Sequence, residues 1–204
     1  MQKFIKHLKS SRRRKVLMSI AVGIIGQLIL LISGILSARM LGVEGRGHLA
    51  ILVLFAMVIS QIGTFGLTKS VTFYISKDTD LSQHIAKHLI RFFPFQIVIL
   101  TVIHYFVIEI YVDIYSESNR AAAYLTLLFV PGNIAWQYGQ AILQTEENLK
   151  KFFFFNIIYP LVYVIAILYI YINNYWSIQS VVLSWVLPSL GIGPPVVIPS
   201  LLGV

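Results

Sequence analysis

Asn133, Gln137, Gln140 and Gln144 stand at i, i+4, i+7 and i+11 in an otherwise apolar stretch. At 100° per residue that spacing gathers all four within about 60° of a helix surface. A row of carboxamides donates and accepts hydrogen bonds without the cost of burying charge. Two uses fit. The row can line a wet cavity that takes a sugar or a polar head group, or it can bond to neighbouring helices as structural glue. Thr126 falls on the same meridian beyond Pro131, whose ring is expected to kink the helix. Asn156, Tyr159, Pro160 and Tyr163 share a second face, where Asn156 and Tyr163 are open to the same two uses. Gly23, Gln27, Gly34 and Ala38 share a third, small enough to favour close helix packing.

Groups that make and break bonds are missing from this pattern. The ionisable residues in or beside the apolar stretches are Arg39, Lys69, His104 and Glu109. They include no pair of acids for general acid–base work and no cluster with metal-ligand spacing. No serine has a histidine or lysine at a spacing that would activate it. With no cysteine in the chain, thiolate metal sites, disulfides and cysteine nucleophiles are excluded. The residues read as a binding surface rather than an enzyme, and they call for no cofactor or metal.

The elements that must hold these residues follow from composition. Of 204 residues 57% are hydrophobic and 12% charged, and the mean hydropathy is +0.80. Soluble domains are about 45–50% apolar and about 25% charged, so a water-facing surface could not be covered. Six apolar stretches, at 16–36, 48–67, 92–110, 122–142, 152–172 and 178–202, are each 19 residues or longer. At about 1.5 Å per residue each spans a hydrocarbon core of about 30 Å. Runs such as Phe152-Phe153-Phe154-Phe155 lack the alternation of a barrel strand. The expected fold is all-α, a polytopic membrane bundle of about six helices. The first stretch, about 21 residues, exceeds the 7–15 of a signal-peptide core and reads as a span.

The net charge of +8 is placed for topology, not for nucleic acid. The first 15 residues carry seven basic side chains and no acid, and the breaks after them hold two, four, one, two and none. Alternate sides therefore total thirteen against three, which puts the N-terminus in the cytoplasm. This divides the chain into a basic cytoplasmic segment, 1–15, and a transmembrane lobe, 16–204. The basic segment suits anionic headgroups, so membrane lipids are one expected partner. No aromatic platform accompanies it, and nucleic acid is not expected. The longest break, 68–91, is 24 residues, too short for a folded extramembrane domain.

One break is unusual: Ala38-Arg39-Met40-Leu41-Gly42-Val43-Glu44-Gly45-Arg46-Gly47 has three glycines in six residues, fit for a tight reversal. With Gly63-Thr64-Phe65-Gly66-Leu67 and the Lys69 that follows, it resembles the polysaccharide-transporter family of lipid-linked oligosaccharide flippases, within the multidrug/oligosaccharidyl-lipid/polysaccharide exporter superfamily. That family's first helix typically ends in A-R-x-L-G-x-x-x-x-G and its second in a G-x-x-G-L-type turn. The resemblance covers about residues 10 to 185. It implies one lobe of a two-lobed, alternating-access flippase in the bacterial cytoplasmic membrane. The cargo would be an undecaprenyl-pyrophosphate-linked oligosaccharide for cell-surface polysaccharide, with other polysaccharide assembly proteins as further partners. It also implies roles for Arg39 and Lys69 in holding pyrophosphate oxygens, against the simpler use of both as headgroup-seeking cations. The chain stops after six spans, half the family's number. Its tail, with Pro195 and Pro199, is expected to be a poor helix and reads as a truncated end. Two other functions stay in view. A cation-coupled drug antiporter would want a buried acid, and an envelope-polysaccharide enzyme would want a larger loop with catalytic acids.

Overall fold

Gly42 turns the first two apolar stretches back on each other. It sits at φ 67°, ψ −173° inside helix α1 (Gln2–Gly63), a conformation open to glycine and strained for an L side chain. Leu30 and Met57 line the same cavity, whereas a straight helix would hold residues so spaced about 40 Å apart. The reversal expected between 38 and 47 is therefore centred on Gly42. This computed structural model describes residues 2–77, 81–111, 117–145 and 149–202; the side chains of the basic segment 1–15 lie outside that description.

The second turn is tighter. Phe65 and Gly66 both take positive φ, 47° and 72°, and Gly63 packs so closely that a Cβ there would stand 2.2 Å from Leu100 Cδ1. Helix α2 (Leu67–Lys77) follows at once and α3 (Leu81–Ile110) soon after. The break expected at 68–91 is thus mostly helical. Leu67, Val71 and Tyr74 recur at helical spacing and put an apolar stripe on α2, and α2 packs on α5 and α3.

The stretch 122–142, expected as one helix, is two. Helix α4 (Glu117–Leu125) passes through a 3₁₀ turn, Thr126–Leu128, into α5 (Phe129–Thr145). The break lies just ahead of Pro131 because a proline ring collides with the carbonyl four residues earlier, here that of Leu127. Buried Thr126 then donates to the Ala123 carbonyl at 2.6 Å.

Helix α6 (Leu149–Ile172) and helix α7 (Ile178–Leu202) complete the chain. The backbone stays helical to Leu202, so the poor helix expected at the tail is not found. Proline removes one donor but fixes φ near the helical value. The core lies where α5 meets α7. Phe129 and Trp185 stack with centroids 3.6 Å apart, among Leu49, Leu52, Ile167, Val181, Val182 and Val186. Gly132 makes that approach possible, since a Cβ there would be 2.7 Å from the Ser189 backbone.

All the described regular structure is helical, and the fold is an all-α bundle. Among the described residues three helical stretches are long and apolar enough to cross a membrane: 17–63, which contains the Gly42 reversal, 91–110 and 151–172. The first of these leaves Leu17, Ile20, Ile24, Leu28 and Leu31 each 54% exposed or more. An apolar surface of this extent suggests a membrane-embedded protein.

A candidate ligand cavity between α1, α5 and α6

The two arms of α1 open a space that α5 and α6 close from the side. Arg46, four residues past the turn, projects back along the first arm. Its Nη2 would lie 4.0 Å from a Cβ at Gly34, about 12 Å along the helix from Gly42. Glycine at 34 leaves room for the guanidinium. This space, about 330 Å³, is also lined by Ser33, Asn133, Trp136, Tyr159 and Tyr163. Among the described residues no carboxylate pairs with Arg46.

A second space of about 380 Å³ adjoins the first, sharing Leu30, Trp136 and Tyr159 with it. The two rings meet at 5.2 Å between centroids, tilted by 30°. Gly23, Gln27 and Asn156 line this second space. Close approach of α1 to α6 falls to Gly26, whose Cβ position is 3.7 Å from the Asn156 carbonyl. Gly23 and Gln27, expected in a packing seam, line open space instead.

One cation, flat aromatic faces and neutral amides thus surround the paired cavities. Such a lining can hold an anionic group through a guanidinium, which offers two donors in one plane. It can also take a polar, uncharged moiety alongside. No protein-family model, curated protein or solved structure matches this chain.

The amide stripe divides. Asn133 lines the Arg46 cavity. Gln140 Oε1 accepts a hydrogen bond from Asn156 Nδ2 at 2.9 Å, which ties α5 to α6, and Asn156 also donates to the Phe152 carbonyl. Gln137 is half-buried and lines neither space, and Gln144 is exposed. Packed helices cross at an angle, so an axial stripe follows a cavity for only a turn or two. Asn156 and Tyr163 line the cavities as well. Arg39 and Lys69 are exposed and reach neither.

Sequence reasoning passed over Arg46 as a turn residue with a topogenic charge. The available signal was its phase: Arg46, Leu49, Val53 and Met57 fall on one helical face and all line the cavity. Two further polar groups lie elsewhere. His104 is 1% exposed with Nε2 3.3 Å from the Thr126 hydroxyl. Glu109 accepts from Tyr124 and lies 3.7 Å from Arg120.

Proposed function

We propose that this chain is a membrane-embedded transport lobe with its N-terminus in the cytoplasm. In this reading it helps carry a lipid-linked, pyrophosphate-bearing saccharide across the bacterial cytoplasmic membrane by alternating access. The observation that carries the reading is Arg46, a cation without a carboxylate partner among the described residues, in a cavity walled by aromatic rings and amides. A charge in a membrane span is costly and usually marks a substrate path. Its side chain can hold two phosphate oxygens at once, while Trp136 and Tyr159 offer faces for a sugar ring and Asn133 bonds its hydroxyls. Arg39 and Lys69 become cations at the headgroup level, and Arg46 takes over the pyrophosphate role. The motif around Gly42 and the cationic bias of the breaks support the same reading. A drug antiporter is less well served, because Glu109 is already engaged by Tyr124 and Arg120.

Binding of three probes to the purified full chain tests this, read from tryptophan fluorescence. Polyprenyl-pyrophosphate-linked N-acetylglucosamine should quench the signal and saturate. Polyprenol and free N-acetylglucosamine should bind at least ten-fold more weakly, since each lacks the anion. Equal binding of polyprenol would overturn the proposal.

A further inference from the structure

A separate cleft of about 420 Å³ lies between α2 and α3, walled by Leu67, Val71, Tyr74, Leu89 and Phe92, with the polar Ser70 and His88 also in its lining. It sits where the apolar span of α3 begins at Arg91, the level of a membrane–water boundary if the chain is embedded as proposed. Large exposed aromatics mark the same level: Phe73 is 61% exposed, Tyr74 54% and Phe95 61%, as in an interfacial belt. Arg91 lies one turn beyond His88 and next to Phe92, while Lys77 lies three residues beyond Tyr74. Both are exposed, and no described carboxylate pairs with either. Asp78 and Asp80 lie outside the described residues; with them, segment 67–92 holds four Lys or Arg against two acids.

We propose that this cleft binds one anionic phospholipid. The root of an acyl chain fills the apolar wall, the phosphate meets Arg91 at the boundary, and the rest of the headgroup extends toward Lys77. The inference rests on the membrane reading above but not on any cargo. Its site is distinct from the Arg46 cavity.

The experiment is native mass spectrometry of the full chain, released from neutral detergent containing equimolar phosphatidylglycerol and phosphatidylcholine of identical acyl chains. The wild type should retain one phosphatidylglycerol in preference. Arg91→Gln should cut that retention about five-fold, the worth of one basic residue near a membrane surface. Ser70→Phe, which fills the cleft from an exposed position, should abolish it, and Lys151→Gln, an exposed cation on α6, should leave it unchanged. Equal retention of the two lipids would overturn the proposal. So would an equal loss in Lys151→Gln, which would show diffuse charge rather than a cleft. Arg91→Gln keeps the test valid if Ser70→Phe fails to fold. A chain that stays dispersed without detergent would instead remove the membrane reading itself.

Discussion

On the proposed membrane reading, a guanidinium turned inward from the Gly42 reversal gives up part of its hydration at a cost, and Arg46 has no described carboxylate to offset that. The cost is expected to surface as a trade between stability and binding. Arg46→Gln should leave the melting temperature of the ligand-free chain in detergent unchanged or a few degrees higher. A clear fall would mean that Arg46 is a structural group. Asn133 and Gln140 should separate in the same way. Gln140→Leu removes the hydrogen bond that ties α5 to α6 and leaves Asn156 Nδ2 only the Phe152 carbonyl, so it should lower stability by about 0.6–2 kcal/mol and leave ligand affinity nearly intact. Asn133→Leu should do the reverse. Thermal melts and ligand titrations of both variants check this, and identical behaviour of the two would return Asn133 to packing.

The turns decide how the elements meet. Gly42→Ala must hold an alanine at φ 67°, ψ −173°, a region essentially confined to glycine, which costs roughly 1–3 kcal/mol. Gly47→Ala, at a position with nothing within 4 Å, should be neutral or slightly stabilising. Gly132→Ala presses a methyl onto the Ser189 backbone, and overpacking of this kind costs about 1–3 kcal/mol. Melting temperatures should therefore rank Gly47→Ala above both others, and the reverse order would contradict the turn and seam assigned here. The Gly42 reversal was legible because three glycines in six residues have few other uses, and the apolar stretches were legible by length alone. Helix α2 was not, since Lys69, Ser70 and Thr72 dilute its apolar face into the look of a loop. The 3₁₀ turn was half-visible: Pro131 announces a disturbance, but the collision falls four residues upstream, on Leu127. The amide stripe was legible as a helical face. Which of its members meets a cavity depends on crossing angles, which no single helix encodes.

At the scale of the molecule, the exposed apolar surface of α1 and the skew of basic residues both make physical sense in a bilayer. The cationic bias of thirteen to three predicts that segment 68–91 lies in the cytoplasm. Cysteines introduced at Ser76 and at Ser116, which lies outside the described residues, should label oppositely with an impermeant reagent added to intact cells. Labelling of Ser76→Cys from outside would refute the topology. On the proposed function, the cation inside the cavity, rather than the cations at its margins, holds the anion of the ligand. The most direct test of this is the titration of Arg46→Gln and Arg39→Gln, side by side, with polyprenyl-pyrophosphate-linked N-acetylglucosamine. Hydrogen bonds to charged groups contribute about 1.5–3 kcal/mol, so Arg46→Gln should weaken binding ten-fold or more while Arg39→Gln stays within two-fold of wild type. Wild-type affinity in Arg46→Gln, or a loss that follows Arg39 instead, would contradict the account.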